Sequence, residues 1–259
     1  MNLEQIQKTI NEINFTRFLI SIRSLIGGLL SCAFTIVISI TLILVCSVKC
    51  HHKTFDRITY IWASFILFVL NVDVKIKGEE HIQDSGGLIL FNHLSLLDIP
   101  ILMKALALKK TFRFGAKIEL FSIPFFGKAM RSIGVLPIAR HQRNKVLKIY
   151  KDSVEKVKNE NMSYALAPEG TRQLTDEIGK FKLGPFNFAL YGHLDIYPVV
   201  IKGAYDLMTK QDSLPCQNKW KSTVTVQFLP VFPTNNYSEE DLDRLKTDVR
   251  QKFITAFNS

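Results

Sequence analysis

The chain has 259 residues, 47% of them hydrophobic, a mean hydropathy of +0.12 and a formal net charge of +10. That length holds one sizeable domain with an appendage, and the apolar share lies at the upper end of the globular range. The positive charge is compatible with nucleic acid or anionic lipid, but there is no basic helix with heptads, no Cys-x-x-Cys and no RNP-like aromatic strand, which argues against nucleic acid. Cys32, Cys46, Cys50 and Cys216 fit neither a metal nor a disulfide spacing, so reduced thiols in a cytoplasm-facing protein are expected.

In chain order, the apolar excess comes first. Residues 25–48 carry no charge; as a helix they would be about 36 Å long and could cross a bilayer core of about 30 Å. The apolar core of a signal peptide is shorter, about 7 to 15 residues, so this run is expected to stay in the mature protein. A basic turn with Lys49, His51, His52, Lys53 and Arg57 precedes a second apolar run, 58–70, too short to span. Two arrangements follow: one span and an interfacial helix, or a helical hairpin dipping into one leaflet. Lys8, Arg17 and Arg23 balance Lys49, Lys53 and Arg57, a symmetry compatible with a hairpin whose ends are both cytoplasmic. Residues 1–71 are therefore read as membrane-anchoring helices and 72–259 as the second domain.

From Val72 onward short apolar runs alternate with helical patterns, the signature of an α/β layer fold. Strands are predicted over 72–77, 87–92, 112–116, 135–138, 163–167, 196–202 and 224–228. A helix is predicted over 144–159, with Val146, Leu147, Tyr150, Val154 and Val157 at helical spacing. Another begins at Ser238 and carries Leu242, Leu245, Val249, Phe253 and Phe257 on one face. Lys104, Lys109, Lys110, Arg113, Lys117, Lys128 and Arg131 interleave with Phe121, Phe125 and Phe126. Such a basic rim around an apolar patch suits anionic headgroups above and acyl chains below.

Chemistry concentrates after the second predicted strand, in Asn92-His93-Leu94-Ser95-Leu96-Leu97-Asp98. An imidazole titrates near neutrality and can take a proton from a hydroxyl, while a carboxylate partner fixes its tautomer and stabilises the imidazolium. On one continuous helix residues five apart stand about 140° apart, so His93 should precede the helix. Ser95 is then expected at the N-cap and Asp98 at N3 of a helix through Ile99, Leu102 and Ala105. That leaves Asp98 with two readings, the orienting partner of a base or a helix cap.

Further segments accompany this one: Lys117-Ile118-Glu119-Leu120 followed by Pro124 and Gly127; Gly134 to Arg140; Pro168-Glu169-Gly170-Thr171-Arg172; and Tyr197 to Ile201. In this order and at these separations, over residues 78 to 203, the set resembles the glycerolipid acyltransferase family, which includes the lysophosphatidic acid acyltransferases. The resemblance implies a mixed sheet flanked by helices. It also implies acyl transfer from acyl-CoA or acyl carrier protein to the sn-2 hydroxyl of 1-acylglycerol 3-phosphate, with no metal or prosthetic group. His93 and Asp98 take the catalytic positions, and Arg140, Arg172 and Lys117 match positions assigned to the acceptor phosphate, where a guanidinium can bind by two parallel hydrogen bonds. Glu169, Gly170 and Thr171 complete the acceptor loop, Pro168 fixing φ and Gly170 permitting φ > 0 so that the turn aims Glu169 and Arg172 into one cleft. Leu136-Pro137 stands where the family usually has an aromatic residue. A membrane location with the catalytic domain on the cytoplasmic face follows, and no Gly-x-Ser-x-Gly elbow suggests a serine hydrolase. Other lysophospholipids, glycerol 3-phosphate, a lyso-aminolipid or noncatalytic binding of an anionic membrane remain alternatives.

Overall fold

The computed structural model describes residues 3–48, 51–139, 142–215 and 217–259. Two helices open the chain, α1 (Leu3–Cys46) and α2 (His52–Val69). At 44 residues α1 is about 66 Å long, well beyond the uncharged run that predicted it. Its segment Asn14–Cys46 is long and apolar enough to cross a membrane, and only 11% of its most apolar window is buried. A core helix would be covered; this one is not.

Packing holds α1 to the rest at separate points. Gly27 lets it approach α2 closely, since a Cβ there would meet the Leu70 side chain and the Val69 carbonyl at 3.0 Å. Further along, Ile38 and Leu42 join a cluster with Phe55, Phe121, Met130 and Ile133. Helix α2 is amphipathic and buries Phe55, Thr59, Ala63, Ile66 and Leu67.

Then come β1 (Val72–Lys77), β2 (Gly87–Phe91), α3 (Asp98–Leu106), β3 (Phe112–Lys117), α4 (Phe126–Ser132), β4 (Leu136–Ile138) and α5 (Arg143–Asn159). The chain ends with β5 (Ser163–Leu166), α6 (Gly184–Gly192), β6 (Ile196–Lys202), β7 (Ser222–Phe228) and α7 (Leu242–Asn258). All seven predicted strands are present. They form one sheet in the order β1-β7-β6-β2-β5-β3-β4, parallel throughout except that β6 pairs antiparallel with β7. The sheet is therefore mixed and flanked by helices, as expected.

Period-two alternation divides the sheet's side chains between two cores. Ile89, Phe91, Phe112, Phe114, Val199 and Ile201 pack with Ala63 and Leu67 of α2 and Ile101 and Leu102 of α3. Leu88, Leu90, Tyr164, Leu166 and Val200 pack on the other face with Val154, Phe188, Val249 and Phe253 of α5, α6 and α7. Strand β2 is buried along its whole length, which is why it reads as a continuous apolar run. Helix α6 was not predicted: Gly184-Pro-Phe-Asn-Phe-Ala-Leu-Tyr-Gly192 is apolar but for Asn187, so no helical period marks it.

The sequence-based picture of a basic rim needs correction. Arg113 is buried and pairs with Asp56 of α2 at 2.6 Å, and Thr111 Oγ1 donates to the same carboxylate at 2.6 Å. Lys110 is also buried; it donates to the Gln83 and Ser85 carbonyls and lies 4.3 Å from the Tyr197 ring centroid. Lys104 reaches under α2 to Tyr60 Oη at 2.7 Å and Ser64 Oγ at 3.0 Å. These cations fasten α2 and the β2–β3 connections. Phe121, expected outside, is buried against α1, and Phe126 is half-buried, leaving Phe125 as the exposed phenyl of the three.

Candidate functional site

Strands β2, β5, β3, β4 and β6 run in one direction, so the loops leaving them gather at one edge of the sheet, where α/β folds place their ligands. His93 follows β2, Pro168 to Arg172 follow β5, Lys117 ends β3 and residue 140 follows β4. Because β2 and β5 are neighbours, the first two of these segments meet.

Asn92 sets where the first loop begins. Its Nδ2 donates to the Ile201 carbonyl at 2.8 Å and its Oδ1 accepts the Ile201 amide at 2.7 Å, extending the β2–β6 ladder by a side chain after the backbone leaves it. The sequence reading did not single Asn92 out; a polar residue closing an all-apolar strand was the available signal. His93 then stands beside Asp98, Nδ1 to Oδ2 at 2.8 Å. The same Oδ2 accepts the amides of Leu94 and Ser95, each at 2.8 Å.

The expected cap is therefore corrected. Helix α3 starts at Asp98 with Leu97 at the N-cap, and Ser95 Oγ donates instead to the Met208 carbonyl at 2.8 Å. The carboxylate takes two free amides at 2.8 Å and the hydroxyl only that of Leu97, at 3.3 Å, because an anion is the stronger acceptor. Asp98 thus clamps the loop that leads into α3 and contacts the imidazole with one and the same oxygen. Since a carboxylate can only accept, Nδ1 carries a proton, and in the neutral ring the lone pair is on Nε2. The His93 side chain is 16% exposed and Asp98 is fully buried, so the imidazole is reachable while its carboxylate partner is not.

Glu169 joins this group from β5's loop. Its Oε2 accepts the His93 amide at 3.1 Å, and the Gln173 amide donates to the His93 carbonyl at 3.0 Å. Glu169 is 2% exposed. Burial pushes its carboxyl up to about 8, the negative Asp98 adding to the rise and the His93 hydrogen bond opposing it. Glu169 Oε1 and Asp98 Oδ1 are buried without a hydrogen-bond partner among the described residues. Gly170 has φ 74°, the left-handed conformation expected of it. Thr171 contributes its carbonyl to Gln173 Nε2 at 2.9 Å, and its hydroxyl takes no part in the group around His93.

Arg172 is half-buried, and its Nη1 donates to the Thr209 carbonyl at 3.2 Å. Together with Ser95 to Met208 and Tyr205 Oη to the Leu174 carbonyl at 2.7 Å, this makes the segment after β6 a brace for both loops. No motif in the sequence signalled that brace, which consists of two backbone carbonyls and one tyrosine hydroxyl. Lys117 is exposed and pairs with Glu119 at 3.3 Å, not with the residues around His93. Arg140 lies outside the described residues. Among those described, no group of His, Cys, Asp and Glu could hold a metal ion. The Tyr197 to Ile201 block is core strand, with Val199, Val200 and Ile201 buried.

A family model described as Acyltransferase matches residues 73–202. A chloroplastic 1-acyl-sn-glycerol-3-phosphate acyltransferase of Arabidopsis thaliana is 32% identical over 62% of this chain and 43% of its own length. The Saccharomyces cerevisiae 1-acyl-sn-glycerol-3-phosphate acyltransferase is 28% identical over 72% of this chain and 60% of its own, so the chain spans about half the length of these relatives. The alpha form from Homo sapiens is 25% identical over 82% and 74%. Among solved structures, the 1-acyl-sn-glycerophosphate acyltransferase PlsC of Thermotoga maritima superimposes with a TM-score of 0.76 over 95% of this chain and 96% of that one, at 18% identity, which establishes the shared fold.

Proposed function

The chain belongs to the acyltransferase family, and from that premise we propose that it acylates the sn-2 hydroxyl of 1-acyl-sn-glycerol 3-phosphate from an acyl thioester, forming phosphatidic acid. The observation that carries the reading is the 2.8 Å pair of His93 Nδ1 and Asp98 Oδ2, with the imidazole accessible at the carboxyl edge of the parallel strands. In the proposed reaction Nε2 removes the hydroxyl proton as the oxygen attacks the thioester carbonyl, and Asp98 stabilises the imidazolium. The tetrahedral intermediate then collapses, the C–S bond breaks, and the thiol of coenzyme A or acyl carrier protein leaves with the proton that His93 returns. Neither a metal nor a covalent acyl-enzyme enters this scheme.

Arg172 spends one of its five donors on Thr209; its others, with Arg140 and Lys117, would hold the acceptor phosphate. Glu169 positions His93 through the backbone and would turn its second oxygen to the acceptor's one free hydroxyl, at sn-2. Residues 1–71 would anchor the protein in the membrane through α1, with residues 72–259 on the cytoplasmic face, where soluble thioesters are found.

The test is acyl transfer from a labelled thioester by the purified protein in mixed micelles, offering lysophosphatidic acid, lysophosphatidylcholine and glycerol 3-phosphate, with His93→Ala alongside. Phosphatidic acid made by the wild type alone supports reaction, acceptor and base together. Transfer to another acceptor moves the specificity, and no transfer to any of them refutes the reading in favour of noncatalytic lipid binding.

A further inference from the structure

Between β3 and α4 the backbone at Phe125 takes φ 59° and ψ −54°, and the Phe126 amide donates to the Pro124 carbonyl at 2.6 Å. This is the positive-φ γ-turn, in which any Cβ is crowded and a bulky residue is a poor choice. Its cause lies beneath it. Gly127 packs directly on the Phe121 backbone, where a Cβ would come within 2.1 Å of the carbonyl oxygen, so the chain must reverse at Pro124 and Phe125.

The phenyl ring gains no interior packing from this strain, being 55% exposed, and Ile118, Leu120 and Ile123 beside it in the chain are exposed as well. Phe121, in their midst, turns inward to Leu42 and Met130. Lys128 and Arg131, on the helix that follows, are exposed, and the one carboxylate of the segment, Glu119, faces Lys117 at 3.3 Å. The cluster that seats α4 includes Ile38 and Leu42 of α1, within the stretch long and apolar enough to cross a membrane.

We propose that residues 118–125 form a membrane-inserting wedge, Phe125 at its tip and Ile118, Leu120 and Ile123 behind it, which enters an anionic bilayer while Lys128 and Arg131 meet headgroup phosphates. Water leaves the apolar side chains exposed and the turn uncompensated; a bilayer supplies the apolar contact that the protein does not. The wedge follows Lys117 at the end of β3, so its insertion brings the edge of the sheet bearing His93 to the depth of a membrane-embedded acceptor. The inference rests on the reading that α1 lies in a membrane.

The test uses the full chain in vesicles of mixed phosphatidylcholine and phosphatidylglycerol. Phe125→Trp adds emission to that of the native tryptophans; the added part should be quenched about twofold by lipids brominated in the upper acyl chain and little by aqueous acrylamide, and Lys128→Glu with Arg131→Glu should reduce the lipid quenching. Phe125→Gly, which relieves the backbone, should be at least as heat-stable as the wild type yet show an acceptor KM raised about threefold in vesicles and unchanged in micelles. Added emission quenched by acrylamide and indifferent to brominated lipid overturns the wedge, as does a Phe125→Gly variant less stable than wild type. Quenching is read without turnover, so its result is independent of the acyl-transfer reading. A wild type that fails to float with vesicles removes the membrane reading of α1 and the wedge with it, whereas flotation without quenching at position 125 removes the wedge alone.

Discussion

Replacing Asp98 separates the two tasks that its Oδ2 performs. That oxygen accepts His93 Nδ1 and the amides of Leu94 and Ser95, all at 2.8 Å, in a fully buried position. Asp98→Ala strands those two buried amides, at about 1–3 kcal/mol each, so about 2–6 kcal/mol of stability should be lost. Set against a typical total of about 5–15 kcal/mol, that threatens the fold itself. Asp98→Asn can place its carbonyl oxygen where Oδ2 stands and retain all three contacts, while its NH2 replaces Oδ1, which has no partner to lose. The Asn variant should stay within about 2 kcal/mol of wild type, yet lose the negative charge that favours the imidazolium. A hydrogen bond to a charged group is worth about 1–2 kcal/mol more than a neutral one, which sets a floor near 5-fold in rate, and a positioned base contributes about 10²–10⁴ in all. We expect kcat for acyl transfer to fall about 10- to 100-fold in Asp98→Asn, measured in mixed micelles beside denaturant unfolding of both variants. An Asn variant with wild-type kcat would refute the base-partner role and leave Asp98 as a loop clamp; one as unstable as Asp98→Ala would refute the expectation that a neutral acceptor in the same place still holds the loop.

Three further outcomes follow from the same contacts. Glu169 keeps its proton in the folded state up to about 8 against an ordinary 4.5, so its contribution to stability is complete below about 4.5 and is lost as pH rises through 8. Unfolding midpoints of wild type and Glu169→Gln should therefore diverge in favour of the variant across that window, and parallel curves would contradict the raised value. Asp56→Ala leaves Arg113 buried without its carboxylate and should cost about 3–5 kcal/mol, most of it recovered when Arg113→Met is added; additive losses in that double-mutant cycle would count against a coupled pair. Replacing Arg140 and Arg172 by alanine should raise the acceptor KM at least tenfold more than the donor KM, and an unchanged acceptor KM would dispose of the phosphate clamp.

Much of the fold was legible because its signals are local. Strands β1 and β6 lie at the predicted residues and the other five within a residue or two, since apolar runs bounded by turn residues have few other uses in a chain of this composition. Helix α5 and the stripe on α7 follow from a 3.6-residue period that one buried face imposes. Helix α6 escaped because its nearly uniform apolar composition leaves no such period, and α1 ran past its predicted start because the charges that end an apolar run do not end a helix.

His93 and Asp98, and the turn at Gly170, could be named from their spacing and residue types, because an imidazole near a carboxylate and a glycine after Pro-Glu restrict what the chain can do nearby. Tertiary structure alone decided which partners they meet. The adjacency of β2 and β5 brings Glu169 to the His93 amide across 76 positions of sequence, and the carbonyls of Met208 and Thr209 brace Ser95 and Arg172 with groups that every residue possesses. Burial also divided the cations, turning Lys110 and Arg113 inward as fasteners while Lys117, Lys128 and Arg131 stayed outside. Residue type and spacing are local properties written in the sequence, but the desolvation and long-range pairing that assign each charge its work depend on what the folded chain places beside it.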